Sequence, residues 1–171
     1  MVRHGKIMRH DIKQNNKLIP IFTLGPNGAD MINLANYKQG YWLTYDVSDV
    51  LKRLLFFELF HKFPKARLTP APAPFVGAIQ YRKNTFYVYV VRGDMNDLLM
   101  HLKWETSSKR MIIITESINH LQPLNIYAND LHVRVTTDKD LGESFQKMFY
   151  KWDNGWVKES AERKQSKIIN L

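Results

Sequence analysis

The sequence predicts an α/β fold, a mixed sheet flanked by helices, and three observations carry that prediction. Residues 75–81 and 85–91 are two β-rich runs separated only by Arg82-Lys-Asn84, the spacing of a hairpin. Residues 110–115 hold the unbroken apolar run Met111-Ile-Ile-Ile114, typical of a strand buried on both faces. Around them stand segments of helical period, giving the order helix, strand, strand, helix, strand, helix, strand, helix. A hairpin followed by strands joined through helices makes the sheet mixed. A chain of 171 residues buries roughly two thirds of its unfolded surface, so it needs no metal or disulfide to fold.

Residues 1–19 carry Arg3, Lys6, Arg9, Lys13 and Lys17 against one acid, Asp11, with no hydrophobic period, and read as a basic arm or a fragment of a larger element. Residues 19–24 read as a short edge strand, because Pro20 cannot donate to a central ladder. Gly25-Pro-Asn-Gly28 is a turn, and 29–34 a short helix. Val47, Val50, Leu51, Leu54 and Leu55 recur at helical spacing after Asp46 and Ser48, two residues able to cap, and Pro64 ends that helix. Residues 68–74 alternate prolines and read as an extended lead-in to the hairpin. A helix runs from Gly93 through Leu102, a helical segment from Glu116 to Leu121, and a strand over 131–136. Leu141 to Trp152 reads as a final amphipathic helix, and the polar stretch from Lys158 onward as a frayed tail. The domain reading is a basic arm over 1–44, a core over 45–152 and a polar tail over 153–171.

The formal net charge of +9 draws polyanions, and nucleic acid is the commonest of these inside cells. The absence of cysteine excludes disulfides, thiolate zinc sites and cysteine nucleophiles. No phosphate-loop glycine pattern occurs, and the six histidines stand in no metal-ligand spacing, so no cofactor is expected. No apolar signal core and no membrane-length apolar run appears, which reads as a cytoplasmic protein that does not contact a membrane. Metal-dependent nucleases place an acid on one strand of a hairpin and an acid-x-lysine on the next. Here Phe75, Val76 and Gly77 face Tyr87 to Val91, and neither run holds a carboxylate. Arg82 and Lys83 occupy the hairpin tip, and Lys103, Lys109 and Arg110 surround a helix-to-strand connection, all suited to phosphates. Tyr81, Tyr87 and Tyr89 offer stacking surfaces or simply fill a sheet face.

Phe22-Thr-Leu-Gly25, Trp42-Leu-Thr-Tyr-Asp46 and the run Phe86-Tyr-Val-Tyr-Val-Val-Arg-Gly93 give the chain a loose resemblance, over about residues 19–140, to the replication-relaxation proteins of Gram-positive plasmids and integrative elements. The resemblance implies a winged-helix segment, here only a remnant within 1–44, before a restriction-endonuclease-like core. It also implies acids that this chain lacks: Phe75 stands where the family pattern has an aspartate, Tyr89 where it has a glutamate, and Val91 at the following acid or lysine. The expectation is a pseudoenzyme, a non-catalytic DNA-binding protein of plasmid replication, conjugation or their regulation, with DNA ahead of RNA. Its phosphate contacts would be Arg3, Lys6, Arg9, Lys13, Lys17, Arg82, Lys83, Lys103, Lys109 and Arg110. The alternative is a protein-interaction or homo-oligomerisation module, with the proline-rich lead-in, the apolar long helix that Pro64 ends or the Trp152–Trp156 cluster as interface. An active nuclease using Asp94, Glu105 or Glu116 is a third reading.

Overall fold

A computed structural model of the protein describes residues 2–14, 16–105 and 109–159, which fall into two compact units, 1–50 and 51–171. In the first unit a 3-10 turn, Val2–His4, leads into β1 (Ile7–Gln14), which pairs antiparallel with β2 (Lys17–Leu24). Ile12 lies opposite Ile19 across the ladder, and both pack with Ile21 and Val50 in a small core. Pro20 sits opposite Asp11, and a two-stranded ribbon has a free edge where a missing donor costs nothing. The basic stretch is therefore a hairpin strand, a fragment of a larger element and not an arm. Ile7 and Ile12 are five apart and so point to opposite faces, which leaves no alternation to read.

The helix α1 (Pro26–Met31) starts on a proline, whose fixed φ and missing N–H suit a first helical position. Its approach to the preceding chain is close. A Cβ added at Gly25 would stand 2.2 Å from the Gly5 carbonyl oxygen, and one at Gly28 2.2 Å from that of Lys6. Tyr37 donates its hydroxyl to the Leu24 carbonyl at 2.8 Å, and a 3-10 turn follows at Tyr41–Thr44.

The second unit is built on seven strands whose spatial order follows the chain. It takes in most of α2 (Val47–His61), then β3 (Arg67–Thr69), β4 (Gly77–Tyr81), β5 (Asn84–Val90), α3 (Asn96–Trp104) and β6 (Arg110–Thr115). A 3-10 helix, Ile118–Leu124, joins β6 to β7 (His132–Thr137), and a 3-10 turn, Asp140–Gly142, precedes β8 (Tyr150–Trp152) and β9 (Trp156–Lys158). The pairs β5–β6 and β6–β7 are parallel and the remaining pairs antiparallel, so the protein is α/β with a mixed sheet. Parallel neighbours need crossovers, which α3 and the 118–124 helix supply.

Strand alternation sorts the core into two layers. Ile79, Val88, Val90, Ile112 and Ile114 pack under Phe56, Leu59 and Phe63 of α2 and its end, with Leu141, Met148 and Phe149. Tyr89, Val91, Met111, Ile113, Val133 and Val135 pack on the other face against Met95, Leu98, Leu121 and Leu124. Both faces of β6 are thus covered, as its continuous apolar run requires. The helix expected over 141–152 does not form. Leu141, Phe145, Met148 and Phe149 keep their apolar role, but a turn at Asp153 to Gly155, with Asn154 at φ +54°, folds 150–158 into the β8–β9 hairpin. Part of the stretch expected as tail is therefore strand β9, and 160–171 lie outside the described residues. No helix among the described residues is long and apolar enough to cross a membrane.

Candidate nucleic-acid interface

Period-two alternation puts a row of polar side chains at the amino-terminal ends of the parallel strands. Phe86 of β5 is in register with Arg110 of β6, and Arg110 with His132 of β7. One step along, Ile112 lies opposite Arg134, which shares its face with the row. On the antiparallel neighbour, Val135 pairs with Tyr150, so Lys151 falls on the same face as Arg134. The tight β4–β5 turn delivers Arg82 from the other side, because Tyr81 and Asn84 pair and leave a two-residue loop.

These residues line one groove of about 890 Å³. Its floor is aromatic and centres on Phe63, whose ring lies 4.9 Å from Phe145, 5.4 Å from Tyr81 and 6.0 Å from Phe86. The rim on the β8 side carries Trp152, fixed by its indole N–H donating to Asn129 Oδ1 at 2.7 Å and by edge packing on Trp156 at 5.2 Å.

Four cations reach the groove, Arg82, Arg110, Arg134 and Lys151, against two acids, Asp153 and Glu159. Both acids are engaged: Arg134 Nε donates to Glu159 Oε1 at 2.9 Å, and Lys151 lies 3.7 Å from Asp153. Arg82 and Arg110 make no ion pair among the described residues, and both are exposed. The Arg82 guanidinium lies 5.2 Å from the Tyr81 ring centre, and that of Arg134 lies 5.6 Å from Phe149. Contacts of this kind set a cation's direction while leaving its charge for a ligand.

Of the ten cations singled out from the sequence, five belong to each unit, and the five of the second unit are not brought to one place. Arg82 and Arg110 line the groove, with Lys83 next to Arg82 in the turn. Lys109 belongs to the opposite face, where its ammonium pairs with Glu105 and lies 5.5 Å from the Tyr87 ring. Lys103 lies on α3, over the Trp104 ring. The Lys103–Arg110 cluster is thus split by the sheet, since successive residues of a strand point to opposite faces. In the first unit, Arg9 pairs with Asp11 at 3.1 Å, while Lys13 lies exposed on the same hairpin face and Lys17 near the turn. Lys6 contributes backbone, its carbonyl accepting from the Gly25 N–H at 2.9 Å. Arg3 lies in the first 3-10 turn, and its side chain lies outside the described ones. Arg134 and Lys151 are groove residues that the sequence does not single out, whereas it sets His132 on a strand without a metal role and offers Trp152 as part of a partner interface. The alternation of Arg134 with Val133 and Val135 was a usable signal, whereas Lys151 was hidden by the helix expected there.

The positions at which the resemblance puts nuclease acids are core. Phe75 is 6% exposed, Tyr89 4% and Val91 2%, all in the layer beneath α3. Tyr89 donates its hydroxyl to Asp97 Oδ1 at 2.6 Å, and burial, then Asp97, push its phenol well above the ordinary value. At the carboxyl ends of the parallel strands, Arg92 spans two acids, at 2.6 Å from Asp138 and 3.6 Å from Glu116. Among the described residues no group of three or more acids and histidines has the geometry to hold a metal ion. Compared with protein-family models, curated proteins and solved structures, the chain matches none.

Proposed function

We propose that the protein is a nucleic-acid-binding protein without catalytic activity, and that the groove at the amino ends of β5, β6 and β7 is its phosphate-binding surface. The observation that carries this reading is convergence. Four cations from separate elements meet in one concavity with an aromatic floor, and two of them lack an ion-pair partner among the described residues. Cations held over rings and away from acids retain their charge for phosphates. The burial of Phe75, Tyr89 and Val91 supports the non-catalytic part, because a nuclease site there would need acids in solvent reach. The resemblance to replication-relaxation proteins, with its restriction-endonuclease-like core, extends the proposal to DNA and to plasmid replication, transfer or their control.

The test is binding as a function of salt. Each phosphate neutralised steepens the log–log salt slope by about 0.9 on a duplex and about 0.7 on a single strand. Replacing Arg82 and Arg110 together by Ala is expected to flatten the slope by roughly 1.5–2 and to weaken binding to many sequences alike. If neither single-stranded nor duplex DNA binds even at low salt, the proposal fails. One observation favours the second reading, a self-associating module: Val47, Leu54 and Phe57 lie exposed on α2, at 44%, 40% and 44%. A tight dimer by light scattering, with no DNA affinity, would select it.

A further inference from the structure

Resting on the nucleic-acid reading, we infer that the groove takes a single strand, with an unpaired base set against Trp152, and not a duplex. The shape of the site is the first argument. A duplex is read by a protruding element that enters its groove, an α-helix or a two-stranded ribbon. Here Arg110 and Arg134 stand on a sheet face inside a concavity of about 890 Å³, walled on one side by Phe145 and Phe149 and on the other by the β8–β9 turn. That volume is in the range of sites that enclose a small ligand, roughly 300–1,000 Å³, and suits a few nucleotides.

The second argument is the kind of side chain that accompanies the charge. Phosphate recognition on a duplex needs cations and backbone amides, and aromatic faces add nothing to it while the bases are paired and stacked. Single-strand sites combine a basic track with aromatic rings, because an unpaired base offers a face to stack on. In this groove Tyr81, Phe86 and Phe145 lie with Arg82, Arg110, Arg134 and Lys151, while Trp152, which alternation puts with Tyr150 on the other face of the sheet, joins the lining at its rim. Trp152 is also set before any ligand arrives, its indole held by Asn129 and by the Trp156 ring. A ring already immobilised loses little further freedom when a base packs on it. The order of the site follows: Arg82 and Arg110 take backbone phosphates on the β4–β5 side, and the base between them and β8 meets Trp152.

The experiment is fluorescence anisotropy with a labelled oligothymidine and a duplex of the same length, at equal and low salt. The single strand is expected to bind at least tenfold tighter than the duplex. Trp152→Ala is expected to weaken single-strand binding about tenfold and leave duplex binding unchanged, and Trp152→Phe, which keeps a ring, to recover most of that loss. Circular dichroism and thermal melting of each variant verify that it is folded. Duplex binding equal to or tighter than single-strand binding would overturn the single-strand assignment while leaving the nucleic-acid reading intact. Equal weakening of both ligands by Trp152→Ala in a folded protein would overturn the role of the base stack. Loss of all binding in the unaltered protein would remove the nucleic-acid reading and this inference with it.

Discussion

Asp140 is a carboxylate 7% exposed that holds the end of β7 to the β8–β9 hairpin. It accepts from the Thr137 hydroxyl at 2.5 Å and from the Lys158 ammonium at 2.6 Å. Burial pushes its carboxyl up, but hydrogen bonds from Lys158, Thr137 and Tyr150 outweigh that and hold it below the usual carboxylate range. Hydrogen bonds to Asp140, then to Glu143, hold the Lys158 ammonium above its ordinary value. A carboxyl depressed in the folded state stabilises the protein above its unfolded pKa, near 4, and that stability is lost as pH falls toward the folded value. Asp140→Asn is therefore expected to cost about 1–3 kcal/mol near neutral pH, and progressively less as pH falls below about 4. Thermal melts of both proteins across that range check it, and a difference that persists undiminished in acid would contradict it.

At the scale of elements, α2 meets the sheet where β4 has no side chain. A Cβ at Gly77 would stand 2.6 Å from the end of the Phe56 ring, so the glycine is what lets this buried ring lie on the strand. Gly77→Ala is expected to destabilise by about 1–3 kcal/mol, and Phe56→Leu in the same chain to recover part of it, a coupling that denaturant unfolding of the four proteins measures. The β4–β5 turn has the opposite economy. Arg82 adopts φ +55°, a left-handed conformation that hairpin turns usually give to Gly or Asn. Arg82→Gly is expected to gain up to about 1 kcal/mol of stability while weakening nucleic-acid binding, with melting and anisotropy read on the same protein. Elements with a strong period were legible in the sequence. The α2 stripe, the β4–β5 hairpin and the apolar β6 all form where their patterns lie. The 141–152 segment shows the limit of that reading. Its apolar residues satisfy a helical spacing, yet the Asp140 contacts and the turn at Asn154 are tertiary and local-turn effects that periodicity does not register. The candidate site was legible only in part for the same reason: Arg82 and Arg110 stand out as cations, but the register that joins them to His132 and Arg134 exists only once the strands pair.

Across the molecule the formal net charge is +9, and the fold decides which of its cations stand clear of acids. The second unit separates two ends of its parallel strands. At the carboxyl ends, Arg92 is occupied by Asp138 and Glu116; at the amino ends, Arg82 and Arg110 carry no ion pair among the described residues. One wall of the groove differs from the others in how it is attached. The strand β8 joins β7 through a single register pair, Val135 with Tyr150, whereas β6 is paired along its length on both sides. Local opening free energies follow such differences in pairing and burial. In native-state hydrogen exchange, amides of 150–158 are therefore expected to exchange well before those of 111–114, and a bound oligonucleotide to slow the former selectively. The β8–β9 hairpin would then be the side of the groove whose backbone a bound strand braces.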